Sequence, residues 1–143
     1  MMKMTENFKI IGNFIKDMSS ETPDAQTFIF VKDKITKYKL NIDITSKAVK
    51  KNIVEVDIII KFVDKPEILK KSHFEITYAS IVKIDEKVSD KKEMEKIILC
   101  DVPNKIYPDL ERIFLNLLTD SGYPGIKFEK KIDFTELYKQ RAN

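Results

Sequence analysis

Side chains able to do covalent or metal chemistry are scarce. His73 is the single histidine and Cys100 the single cysteine of a 143-residue chain. A Ser-His or Cys-His pair would have to use those residues, and a His-rich metal site is excluded. The three glycines, at 12, 122 and 125, cannot form a glycine-rich phosphate loop. Carboxylates are plentiful, but a pair such as Asp85-Glu86 has no partner base and reads as a solvated face. His73 is expected on the outward face of a strand. Cys100 closes the run Ile97-Ile98-Leu99-Cys100 and behaves there as a small buried hydrophobe. The chain is therefore read as no enzyme, with no cofactor and no metal.

Charge is the next candidate for function. Lys and Arg total 26 against 23 Asp and Glu, a formal net charge of +3. All the basic residues except Arg112 and Arg141 are lysines, often beside acids as in Lys32-Asp33-Lys34. Readers of DNA sequence rely on arginine forks and stacking aromatics, so a nucleic-acid partner is not expected. A lone cysteine excludes an intramolecular disulfide and suits a reducing compartment. The start, Met1-Met2-Lys3-Met4-Thr5-Glu6-Asn7, has no apolar core, and apolar runs such as Phe28–Val31 are far short of a membrane span. A cytoplasmic protein without direct membrane insertion is expected.

The elements that must position any functional surface follow from periodicity. In Tyr38–Thr45, Tyr38, Leu40, Ile42 and Ile44 alternate with polar residues, the pattern of a half-buried strand. Ile53–Val63 repeats it with Val54, Val56, Ile58, Ile60 and Phe62 inward, while Ile59 interrupts the polar face. Ser72–Ile84 is a third strand, with Phe74, Ile76, Tyr78, Ser80, Val82 and Ile84 inward, and Ile10–Met18 is β-compatible despite Gly12. Asp85–Lys96 is a charged block, either a surface loop or a short exposed helix. After Pro103 the period changes. Ile106, Leu110, Ile113, Phe114 and Leu117 form a helical stripe, with Pro108 expected in the first turn and Asp109 and Glu111 complementing the helix N-terminus. Ser121–Gly125 stops that helix, Ile126–Ile132 is an extended linker, and Asp133 caps a short helix carrying Phe134, Leu137 and Tyr138. Four strands followed by two helices give one α+β domain over 1–143.

Two segments carry a resemblance. One is Phe14-Ile15-Lys16-Asp17-Met18-Ser19-Ser20-Glu21-Thr22-Pro23-Asp24-Ala25. The other runs from Cys100 through Pro103 and Tyr107-Pro108, then Gly122-Tyr123-Pro124-Gly125-Ile126-Lys127-Phe128, to Ile132-Asp133-Phe134-Thr135-Glu136-Leu137-Tyr138. In order and spacing, from Asn13 to Gln140, the chain resembles the bacterial protein-export chaperone family SecB. That family is usually acidic, whereas this chain is slightly basic.

The resemblance implies a four-stranded antiparallel sheet with a Greek-key crossover plus one long and one short C-terminal helix. It further implies pairing of two subunits through their first and last strands, and a dimer of dimers with the long helices between the sheets. Such a homotetramer would cover the apolar surface that one small core cannot bury. The implied activity is that of an ATP-independent holdase, which binds unfolded precursor proteins and delivers them to the SecA translocase motor. The expected client groove uses Phe28 and Phe30 of the crossover and Ile126 and Phe128 of the linker, with Tyr38, Leu40, Phe74, Ile76 and Tyr78 from the sheet. Asp17, Glu21 and Glu75 match the family's acidic residues for SecA. Two alternatives stay open: a SecB-like chaperone dedicated to a toxin–antitoxin pair, and an oligomeric scaffold or ligand-binding module without holdase activity.

Overall fold

The structure, a computed structural model, describes residues 7–128 and 132–142. Strands β1 (Phe8–Glu21), β2 (Lys39–Lys50), β3 (Ile53–Val63) and β4 (His73–Ile84) form one antiparallel sheet in the order β1-β4-β3-β2. The connection from β1 to β2 crosses from one edge of the sheet to the other, the expected Greek-key path. β3 spans the residues its alternation predicts. β1 and β2 run further than their alternation does.

Two bulges explain why β1 is longer than its pattern. The pairing with β4 slips between Ile10 and Gly12, and again between Ile15 and Asp17, leaving Ile11 and Lys16 as extra residues. Each bulge resets which side of the strand faces the core. Phe8, Ile10, Asn13, Ile15 and Met18 register with the inward residues of β4, while Lys9, Gly12, Phe14 and Asp17 register with its outward ones.

The crossover is helical. Helix α1 (Ala25–Lys32) begins at Asp24, whose side chain accepts the Thr27 N–H at 2.7 Å. That hydrogen bond to the charged form holds the Asp24 carboxyl below its ordinary range. A 3₁₀ turn, Ile35–Lys37, then delivers the chain to β2.

The charged block combines its two alternatives, a loop and a short exposed helix. Asp85–Asp90 is a loop, and α2 (Lys91–Lys96) starts on an Asp90 cap that accepts the Lys92 N–H at 3.1 Å. A π-helical turn, Ile97–Asp101, joins α2 to α3 (Val102–Asp120) without a break. The helix dipole therefore begins at Lys91 and not near Pro108, and Glu93 rather than Asp109 sits in the first turn. Pro108 lies in the second turn of α3 on its exposed face, where water can meet the carbonyl that loses its partner. Tyr123 and Ser121 N–H groups close the helix on Leu118 and Leu117, and Gly122 takes φ +104° beyond them. Of the expected linker, residues 129–131 lie outside the described residues. The short helix α4 (Phe134–Ala142) follows Asp133, which accepts the Thr135 and Glu136 N–H groups.

All the helices lie on one side of the sheet. Val56, Ile58, Ile60, Phe62, Phe74, Ile76, Tyr78 and Val82 pack there against Ile106, Leu110, Phe114 and Leu118. Ile113 and Leu117, expected in the core stripe, are only partly buried, because Leu118 takes the inward position one turn beyond Phe114. Among the described residues the opposite sheet face carries no helix.

Candidate binding surfaces

Residues expected to line a groove divide by depth. Tyr38, Phe74, Ile76 and Tyr78 are no more than 7% exposed and belong to the core. Phe62 organises them: its ring lies 5.4 Å from Tyr38, 6.3 Å from Phe74 and 6.2 Å from Phe114. Burial pushes the Tyr38 hydroxyl above its ordinary pKa, and that oxygen accepts the Ser72 N–H at 3.0 Å. The remaining five, Phe28, Phe30, Leu40, Ile126 and Phe128, are partly buried around this cluster. Phe128 reaches Phe62 at 5.8 Å and stacks on Phe114 at 6.2 Å. Phe28 meets Tyr123 at 5.3 Å, and the Lys34 ammonium lies 4.7 Å from the Phe30 ring centre. The Tyr123 hydroxyl bonds Ser72 at 2.8 Å and Thr22 at 3.1 Å, which ties the turn after α3 to the residue preceding β4 and to the start of the crossover.

A second hollow was not foreseen. Ile42, Asp43 and Ile44 of the edge strand β2, Leu99 of the π turn, and Phe134, Leu137, Tyr138 and Gln140 of α4 enclose about 300 Å³. None of the nine expected groove residues lines it. The α4 stripe and the β2 face were each legible, but only the topology brings them together. Cys100 is 2% exposed behind this wall, near Thr135 (3.3 Å) and Asn104 (3.6 Å). Tyr107, packed on Phe134 at 5.4 Å, has its hydroxyl pKa raised, first by burial and then by Glu111.

The helix-free face carries the expected acidic residues. Register places Asp17 opposite Thr77, Ser19 opposite Glu75 and Glu21 opposite His73, so Asp17, Glu75 and Glu21 share one end of that face. Glu75 is flanked by Lys61 at 3.7 Å and His73 at 3.6 Å, whereas no ion pair joins Asp17 or Glu21 to another described residue. His73 is half-exposed on this outward face.

At the centre of the same face, Lys16 reaches over β4 to bond Glu55 at 2.7 Å and Asp57 at 3.0 Å on β3. The hydrogen bond from Lys16 holds the Glu55 carboxyl below its ordinary range. Burial raises Asp57, one of whose oxygens is enclosed without a hydrogen-bond partner. Ala79, fully buried, lies between the strands that Lys16 spans. Apolar residues surround this cluster: Phe14, Ile53, Ile59 and Ile81 occupy outward positions. Along β1 the side chains of Ile11, Phe14, Ile15 and Met18 are 43–55% exposed.

No cluster of three metal-ligating side chains occurs among the described residues. What the geometry offers is apolar rims, sheet edges and a charged flat face. The sequence model of the preprotein translocase subunit SecB matches residues 2–143.

The chain belongs to the SecB family. It is thus a chaperone of protein export and not an enzyme. A putative protein-export protein SecB of Pelagibacter ubique (strain HTCC1062) is 86% identical over 140 residues, which cover 98% of this chain and 100% of that protein. Protein-export protein SecB of Dinoroseobacter shibae (strain DSM 16493 / NCIMB 14021 / DFL 12) is 29% identical, over 92% of this chain and 76% of that one. Among solved structures, a Mycobacterium tuberculosis SecB-like chaperone in complex with an antitoxin peptide superposes with a TM-score of 0.64. It is 11% identical and covers 87% of this chain and 91% of its own, a likeness of fold.

No described helix is long and apolar enough to cross a membrane.

Proposed function

We propose that this protein is an ATP-independent holdase that keeps precursor proteins unfolded in the cytoplasm and hands them to the SecA motor. The observation carrying this reading is the hollow between β2 and α4. Its apolar lining of Ile42, Ile44, Leu99 and Leu137 lies beside β2, an edge strand of the four-stranded sheet. An extended client can pair with such an edge while an alternate side chain enters the hollow. The partly buried rim of Phe28, Phe30, Leu40, Ile126 and Phe128 continues the apolar surface. Tyr38, Phe74, Ile76 and Tyr78 support that rim from beneath and contact a client only if the rim opens.

Burying about 400 Å² of client gains about 10 kcal/mol gross at roughly 25 cal/mol per Å². Ordering and association consume roughly 4–15 kcal/mol of that. A single groove is therefore weak, and several grooves on one assembly bind through effective concentration. The assembly proposed is the dimer of dimers. β1 is the free edge on its side of the sheet, whereas β4 is paired on both sides, so backbone pairing between subunits falls to β1. The exposed Ile15 and Met18, with Ile113 and Leu117 of α3, supply the apolar contacts.

Motor binding is assigned to Asp17, Glu21 and Glu75, through charge complementarity with a lysine-rich partner segment. The solved relative bound to an antitoxin peptide makes dedication to one antitoxin the second reading. The deciding experiment dilutes several denatured precursors into the pure protein without nucleotide and follows light scattering, with native mass spectrometry alongside. Suppression for many precursors near one tetramer per chain is expected. Suppression for none, or for a single antitoxin alone, would overturn the export reading.

A further inference from the structure

The outer sheet face is electrically lopsided, and the end away from Asp17, Glu21 and Glu75 has no assigned partner. Register puts Lys9 of β1 opposite Lys83 of β4, Lys83 opposite Ile53 of β3, and Ile53 opposite Lys50 of β2. Lys9, Lys83 and Lys50 thus stand in one row across the sheet. Lys51 lies in the adjoining hairpin turn, where Asn52 takes φ +62° and its carbonyl accepts the Ile84 N–H at 2.7 Å. That bond pins the hairpin tip against the end of β4 and keeps Lys50 and Lys51 beside Lys83.

None of these four lysines forms an ion pair with a described residue, and all four are exposed. The next row inward holds one carboxylate, Glu55, which Lys16 occupies at 2.7 Å. Lys47, also in that row, reaches the same oxygen only at 3.9 Å. Asp85, just past β4, accepts the Lys87 N–H in the loop leading to α2 and the helix layer. Like charges directly opposite on neighbouring strands are destabilising, so Lys9 facing Lys83 is a cost that an external anion would relieve.

The surroundings indicate which anion. Arginine and aromatic residues, the usual nucleic-acid readers, are missing from the row. Aliphatic Val49 beside Lys50 is 52% exposed, and Ile11 in the β1 bulge near Lys9 is 55% exposed. Lysine heads with exposed aliphatic neighbours suit a headgroup layer, where charge stays in water and short apolar side chains enter the boundary.

We propose that the Lys9, Lys83, Lys50 and Lys51 end of the outer sheet face docks on an anionic lipid bilayer. The docking is peripheral and reversible, and it uses residues apart from the client hollow and from the acidic end. Each lysine near an anionic surface contributes about a fivefold gain in partition. The test is flotation with phosphatidylcholine vesicles and with vesicles containing about one third phosphatidylglycerol, at low and physiological salt. The wild type is expected to float with the anionic vesicles only, and less at higher salt. The triple variant Lys9→Gln, Lys50→Gln, Lys83→Gln is expected to partition about a hundredfold more weakly while retaining its melting temperature and client suppression. The control triple Lys32→Gln, Lys65→Gln, Lys70→Gln makes the same change in net charge elsewhere and is expected to stay within about threefold of wild type. Equal loss in both triples would reduce the effect to net charge and overturn the proposal. So would no binding to the anionic vesicles, with or without row-dependent binding of polyuridylate RNA or polyglutamate in their place.

Discussion

Lys16 and Glu55 meet at 2.7 Å across a strand to which neither belongs. The bulge at Lys16 frees its side chain from the alternation of β1 and aims it over Ala79 at Glu55 and Asp57. The three pKa shifts pull in different directions. Glu55, lowered, stabilises the fold above the unfolded carboxylate range and loses that as pH falls through its folded value. Asp57, raised, does the reverse: its contribution is greatest when protonated and is lost as pH rises through the carboxylate range. Lys16, raised chiefly by its bond to Glu55, keeps its contribution through neutral pH and loses it only in strong alkali. The two carboxylates therefore act on stability in opposite directions across the carboxylate range. Lys16→Met removes the shared cation and leaves two neighbouring carboxylates. Its urea midpoint should fall below wild type at neutral pH and recover on acidification as Asp57 takes a proton. A deficit independent of pH would refute this account.

Gly122→Ala meets two separate obstacles. The residue sits at φ +104°, and a Cβ there would lie 2.7 Å from Phe28 Cε1. The substitution should cost about 1–3 kcal/mol and lower the thermal midpoint by several degrees. Adding Phe28→Leu should recover the part due to contact but not the part due to backbone. Strict additivity of the two changes would show that the ring is not the obstacle.

Depth should separate core from groove. Phe74→Ala removes a fully buried ring and should cost about 3–5 kcal/mol in chemical denaturation. Leu137, 46% exposed at the hollow, should tolerate Ser with under about 1 kcal/mol of destabilisation. Leu137→Ser should nevertheless weaken capture of a denatured precursor by about tenfold, about the effect of losing one apolar anchor. Unchanged capture would move the client site away from the hollow.

The three carboxylates assigned to the motor should not be equal. Glu75 shares its charge with Lys61 at 3.7 Å, so its field at a lysine-rich partner is the weakest. Titration calorimetry with SecA should show a larger loss for Asp17→Ala with Glu21→Ala than for Glu75→Ala. Client suppression should stay intact in both. A dominant Glu75 effect would indicate a contact by shape or hydrogen bond instead of charge.

The sheet was legible in sequence where one face is buried and the other is not. Val54 through Phe62 alternates, with Ile59 the one break, because β3 is central and has its partner elements on one side only. The crossover helix was not, since Phe28-Ile29-Phe30-Val31 is a continuous apolar run with no period, although Asp24 offered a cap signal. The helical rod ahead of Pro103 stayed only an open alternative for a related reason. Lys91–Lys96 has no apolar stripe, and the π turn shifts Ile97 and Cys100 out of the 3.6-residue phase that α3 follows. The acidic end of the outer face followed from resemblance, while the lysine row did not. It required the register of four strands, because its members are far apart in sequence.

The bulges of β1 have a further consequence for how this strand can vary. They divide it into three reading frames, each with its own parity relative to the core. Substitutions are confined by the frame in which they fall, but insertions and deletions act on every residue between one bulge and the next. Loss of Ile11 would close the first bulge and leave Gly12–Ile15 paired with the same residues of β4, Phe14 outward and Ile15 inward. Loss of Lys16 would likewise keep Asp17 and Glu21 on the open face, while removing the side chain that reaches Glu55 and Asp57. Length is therefore tolerant at these two positions and strict at the paired positions between them, where loss of one residue would turn its neighbours over.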